Sequence, residues 1–167
     1  TDMFYTYQDI AVKDREERQN YDCILKRGVS VLVLDSRLEI RPDYIKSFKY
    51  TITGNCGNVF NPSTGHCLEK TTLTKTYDIS GNQYKGKKIM FSSYFFLGED
   101  NVTDITLATQ SVDTENNVAK ELSFENVHMV KGKMTTYKGP FLSTHSAASF
   151  IIDSPTIPDS GFSTEFE

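Results

Sequence analysis

Apolar residues in this chain recur at every second position, in short runs interrupted by turn residues. That period sets the fold class, because side chains alternate between faces only in extended strands. Residues 44–53 are the cleanest case. Tyr44, Phe48, Tyr50 and Ile52 share one face, while Ser47, Lys49, Thr51 and Thr53 share the other with Ile45. Residues 21–34 hold the strongest apolar strand. Val29, Val31 and Val33 fall on one face and Leu32 and Leu34 on the other, as expected of a central strand covered on both sides.

Further strands are expected over residues 3–12, 68–79, 88–97, 103–109, 122–130, 134–143 and 149–153, with a short terminal one over 163–167. In residues 88–97, Phe91 and Phe95 face one way and Tyr94 and Phe96 the other. Residues 122–130 change phase: Leu122 and Phe124 are even-numbered, Val127 and Met129 odd. One extra residue near Asn126 reconciles them, which is the mark of a β-bulge. Arg41-Pro42-Asp43, Ser80-Gly81-Asn82 and 98–101 are turns, 112–117 is a polar hairpin tip, and 54–65 is a long loop. Pro155 and Pro158 are expected to break the chain before the terminal strand. The charge-dense link 13–20 lacks the apolar stripe of a packed helix. About nine or ten short strands without an amphipathic helix predict an all-β sandwich or barrel, with residues 1–167 as one domain.

Composition agrees. The aromatic residues are 9 Tyr and 11 Phe with no Trp, which belong to the strand-favouring set. Net charge is −4 and no basic block stands out, which argues against nucleic acid as a partner. Lys85, Lys87 and Lys88 beside Gly86 read as a solvated turn. No run approaches the ~20 apolar residues of a membrane-spanning helix.

The residues with chemical potential do not form a catalytic pattern, so no enzymatic activity and no cofactor or metal is expected. The 3 cysteines, Cys23, Cys56 and Cys67, are an odd number, so they cannot all pair within the chain. Cys56 and Cys67 bracket a loop rich in Gly, Asn and Pro and are the candidate disulfide, with free buried thiols the alternative. The 3 histidines, His66, His128 and His145, lack metal-ligand spacing. Ser143-Thr144-His145-Ser146 places hydroxyls beside an imidazole without a nucleophile elbow. Glu99, Asp100, Asn101 and Asp104 do not follow a calcium-loop spacing and read as a solvated hairpin end. Tyr5, Tyr7, Tyr44, Tyr50 and Tyr94 would serve either as sandwich core, the simpler reading, or as a sugar-stacking platform.

Three segments then suggest a family. They are Leu25 to Val33, the strand from Ile45 running into Phe60-Asn61-Pro62-Ser63-Thr64-Gly65, and Lys131 to Leu142. In order and spacing they resemble the fimbrillin-like proteins of Bacteroides-type fimbriae. Arg27, Val29, Val31 and Val33 match the family's early core strand. Phe60, Asn61, Thr64 and Gly65 match a loop motif, and Lys133, Thr136, Gly139 and Phe141-Leu142 match a late strand. Lys131-Gly132-Lys133 stands where the family usually carries Asn. Full pilus subunits of this kind also carry two sandwiches, and one fits here.

The resemblance implies a transthyretin-like sandwich of about seven core strands, exported through a lipoprotein signal upstream of Thr1 and held at the outer membrane. It implies a non-catalytic fimbrial subunit or surface adhesin that pairs with other subunits or itself by strand exchange. Arg15 and Arg18 are where an Arg-directed processing cut would fall, and a charged loop is the simpler reading. A carbohydrate-binding β-sandwich that meets surface glycans is the alternative function.

Overall fold

The computed structural model describes residues 3–11, 19–144 and 149–156. Its thirteen strands are β1 (Phe4–Tyr5), β2 (Lys26–Arg27), β3 (Ser30–Asp35), β4 (Ile45–Gly54), β5 (Cys56–Gly57), β6 (Phe60–Asn61), β7 (His66–Cys67), β8 (Leu73–Asp78), β9 (Met90–Leu97), β10 (Val102–Asp113), β11 (Val118–Val130), β12 (Met134–Lys138) and β13 (Ile151–Thr156). Among the described residues the only helical turn is a 3-10 turn at Asn82–Tyr84. The fold is all-β.

Two sheets face each other. One runs β11-β10-β4-β8, the other β13-β12-β3-β9-β5. Their neighbours are antiparallel except β3 and β12, which run parallel with Leu32 beside Thr135 and Leu34 beside Tyr137. Without the two-residue β5 and the edge strand β13, seven strands carry the core. Two small hairpin-like pairs, β1-β2 and β6-β7, stand apart from both sheets.

The core forms where the two inner faces meet. Phe48, Ile52, Ile105, Leu107, Val127 and Met129 come from the four-stranded sheet; Leu32, Leu34, Phe91, Phe95 and Leu97 come from the other. Phe48 and Phe91 stack between the sheets with ring centroids 4.2 Å apart. β3 is buried along its whole length, as its two-faced apolar pattern predicts.

The alternation translates into register with one refinement per irregularity. Ile105 pairs with Val127 but Leu107 pairs with Phe124, so β11 carries one residue more than β10 between these pairs. Asn126 lies in that interval with φ +56°, the left-handed region that Asn tolerates better than most residues. This is the bulge the phase change in residues 122–130 predicts. A second irregularity lies in β4, where Val112 pairs with Ser47 but Asp113 pairs with Ile45. The step across Lys46 turns Ile45 into the core and leaves Tyr44 exposed, the reverse of the simple alternation.

Other expectations are corrected by the structure. Of the expected strand over 3–12, the described residues 3–11 form a strand only at β1, which pairs with β2 outside the main sheets, and Tyr7 and Ile10 are exposed. The expected strand over 21–34 divides into the two-residue β2 and β3, which begins at Ser30. The loop 54–65 contains β5 and β6. The late strand stops at Lys138, after which the chain leaves the sheet. Pro155 lies inside β13 and does not end it. Thr136 pairs with Asp153 while Met134 pairs with Thr156, so Ser154 and Pro155 fall in a bulge on an edge strand, where a missing N–H is tolerated. Residues 163–167 lie outside the described residues.

The bulge makes a testable demand on the backbone. Asn126→Gly should leave stability within about 0.5 kcal/mol, whereas Asn126→Val should cost about 1–2 kcal/mol, the strain of a branched side chain at positive φ. Urea unfolding of both variants measures this.

Candidate functional site: a docked edge strand and its socket

After β12 the chain makes a short, heavily anchored detour before it returns as β13. Gly139 N–H donates to the Asp35 carbonyl at 3.0 Å, which ends the pairing of β12 with β3. Phe141 and Leu142 then turn into the core, each about 1% exposed. Burying this backbone requires partners for its polar groups. Glu39 supplies two: its carboxylate accepts from the Leu142 N–H at 2.7 Å and the Ser143 N–H at 3.0 Å. Ser36 Oγ donates to the same carboxylate at 2.7 Å.

The carbonyls are met from the opposite sheet. Lys120 Nζ donates to the Pro140 carbonyl at 2.6 Å and to the Ser143 carbonyl at 2.9 Å. Ser111 Oγ donates to the Leu142 carbonyl at 3.2 Å. Lys120 and Ser111 are register partners on β11 and β10, so both reach inward at the same end of the sandwich. Burial pushes the Lys120 ammonium below its usual range, and the Glu39 carboxylate opposes that shift.

Phe150, immediately before β13, is the anchor of the returning strand. Its ring meets Phe124 edge-on at 5.0 Å and Phe141 at 5.0 Å. Phe124 in turn meets the Tyr137 ring at 5.2 Å. The floor of this socket is Gly139, where a Cβ would overlap the Phe150 ring. Beyond the anchor, β13 is held by its ladder to β12 and by an ion pair between Lys138 and Asp153. Among the described residues no strand pairs with its other edge, and Ile151 and Ile152 are 55% and 58% exposed. The arrangement binds an extended segment through main-chain hydrogen bonds and one aromatic knob.

The chain belongs to DUF6562, a family of unknown function. The family model matches residues 1–165. No curated protein and no solved structure matches the chain.

The residues singled out from sequence are dispersed. Arg15, Arg18 and His145 lie outside the described residues. Cys56 and Cys67 come close enough for one thiolate to disfavour the other, but both are free thiols and no disulfide joins them; Cys23 is also free and is exposed. Burial pushes the Cys56 thiol up to about 11, which makes it a poor nucleophile at neutral pH. His66 lies on β7 and His128 on β11, where His128 Nδ1 sits 3.0 Å from Asp104 of the neighbouring strand. Asp104 is therefore a cross-strand partner and not part of a loop shared with Asp100. Among the described residues no three His, Cys, Asp or Glu side chains come together to hold a metal. Lys85, Lys87 and Lys88 form an exposed turn.

The five tyrosines separate too. Tyr50 is core, Tyr44 is exposed in the turn before β4, Tyr94 is exposed on β9, and Tyr5 and Tyr7 line one cleft. Sequence reasoning missed Glu39, Lys120, Phe150 and also Arg41. Arg41 is a buried guanidinium that donates to the Ile45 carbonyl at 2.6 Å and the Tyr84 carbonyl at 3.3 Å, pinning the turn before β4. A charged residue inside an otherwise apolar or turn segment is the only local trace such groups leave.

Burial also predicts how the fold responds to base. Cys56 moves from 9.0 up to about 11 and Tyr50 from 10.0 to about 12, each chiefly by desolvation. The unfolded chain thus loses these protons first as pH rises. Their contribution should be complete below about pH 9 and lost progressively between about 9 and 12, at about 1.4 kcal/mol per unit of separation. Tyr50→Phe should remove the part of this decline above pH 10 in chemical denaturation series.

Proposed function

We propose that this chain is a non-catalytic, extracytoplasmic module that assembles by β-strand exchange, as a fimbrial subunit or fimbrillin-like surface adhesin. The observation that carries the reading is β13. Among the described residues it is an edge strand held by its ladder to β12, the Lys138–Asp153 ion pair and the Phe150 ring, and it also lies near β11. A segment held this way is replaceable by an equivalent segment from another copy, because main-chain pairing supplies affinity and the socket supplies register. The anchored detour of residues 139–143 supports the same reading: its anchors, Glu39 and Lys120, lie outside β13.

The proposal includes a transthyretin-like arrangement of the seven core strands and a lipid anchor upstream of Thr1 that holds the protein at the outer membrane. Arg15 and Arg18 are the proposed positions of an Arg-directed processing cut. The partners are other fimbrial subunits or a second copy of this chain.

A labelled peptide spanning residues 149–156 tests the exchange. Added to the full chain under mild warming, it should be incorporated and remain bound through gel filtration. Gly139→Ala, whose methyl fills the socket floor, should abolish uptake. Replacing Phe150 by Ala in the peptide should weaken it at least tenfold, a fraction of the ~3–5 kcal/mol of a fully buried Phe because this ring is half-buried. Absence of uptake by the unmodified chain would contradict the proposal.

A further inference from the structure

A cleft of about 450 Å³ lies between the N-terminal segment and the loop after β6, within the ~300–1,000 Å³ of small-molecule sites. It is separate from the β13 socket. Tyr5 builds its base. The Tyr5 ring meets Phe60 edge-on at 5.0 Å, and Phe60 leans on Phe96 at 4.9 Å. The Tyr5 hydroxyl accepts from Lys131 Nζ at 3.0 Å and occupies the space a Cβ on Gly65 would need. One wall is equally set. Asn61 Oδ1 accepts from both the N–H and Oγ of Ser63, and Gly65 N–H donates to the Asn61 carbonyl, so Ser63 and Thr64 are presented by a fixed turn.

Tyr7, 60% exposed, lines the cleft with Asp22, Lys26, Ser63 and Thr64, and Thr6, Gln8 and Ile24 fill the rest of the wall. One carboxylate and one ammonium cancel, so the cleft has no net charge to recruit an ionic ligand. It offers a phenol face, a bidentate carboxylate acceptor, an ammonium donor, the Gln8 amide and three aliphatic hydroxyls.

We propose that this cleft binds a neutral saccharide. A sugar ring presents an apolar C–H face suited to an aromatic side chain and a rim of hydroxyls that both donate and accept. Tyr7 would take the C–H face. Asp22 would accept from a pair of adjacent hydroxyls as a charge-assisted bond, and Lys26 would donate to a ring or hydroxyl oxygen. Phosphorylated or sulfated ligands are disfavoured by Asp22. The inference is independent of strand exchange: it uses none of the residues of the β13 socket.

Saturation-transfer NMR on the full chain with lactose, maltose, cellobiose and N-acetylglucosamine disaccharide at millimolar concentration tests it. At least one should give transfer signals, and titration should show binding at least tenfold weaker in both Tyr7→Ala and Asp22→Asn. Tyr94→Ala, an exposed tyrosine on β9 outside the cleft, should bind as the parent does. Circular dichroism of each variant separates lost binding from lost fold, and Tyr7→Phe, which keeps the ring, should retain binding if Tyr7→Ala unfolds. Silence across the panel would overturn the inference, as would binding indifferent to both cleft variants, or selective uptake of acidic glycans or peptides.

Discussion

The structure depends on a continuous chain of aromatic contacts that starts between the sheets and ends at the edge. Tyr50 meets Tyr77, Tyr77 meets Phe91, and Phe91 stacks on Phe48 across the sandwich. Phe48 then touches Phe141, and Phe141 touches Phe150. Such pairs contribute about 0.5–1.5 kcal/mol each beyond the area they bury. The socket for Phe150 is therefore one end of the hydrophobic core and not an appendage to it. Emptying it exposes the Phe141 and Phe124 rings, so the site favours being occupied by some aromatic knob.

Polar groups make that end of the core rigid. Residues 139–143 carry backbone N–H and C=O groups into an apolar region, where leaving them unmet would cost about 1–3 kcal/mol apiece. Glu39 from one side and Lys120 with Ser111 from the other meet them. These bonds belong to the body of the sandwich and do not involve β13. The socket is built by one set of interactions and filled by another, which is what strand exchange requires.

Much of this fold was legible in the alternation. Val29 to Leu34 mark the central strand, Phe48, Tyr50 and Ile52 the facing one, and the phase change between Phe124 and Val127 marks the bulge at Asn126. These features are local, since each is a pattern of side-chain direction within one strand. The parallel pairing of β3 with β12 joins residues about a hundred positions apart and leaves no periodic trace. Glu39 and Lys120 look like any charged surface residues until the segment they hold is in place. The reduction of residues 3–12 to a two-residue β1 has the same origin. Alternation makes a segment able to be a strand, but a free sheet edge decides whether it becomes one, and here β1 finds only β2. Tyr5 and Tyr7 then become cleft residues instead of core.

The central claim is that β13 is a separable strand over a body that stays folded. Native-state amide hydrogen exchange measures this directly, because it reports the opening free energy of each segment. The amides of β13 should exchange through local opening, at least about a hundredfold faster than those of β3, β4 and β10, while the Leu142 and Ser143 amides bound by Glu39 remain protected with the core. If β13 exchanges only with global unfolding, at the rate of β3, the strand is an integral part of the sandwich and the account of its exchange is wrong.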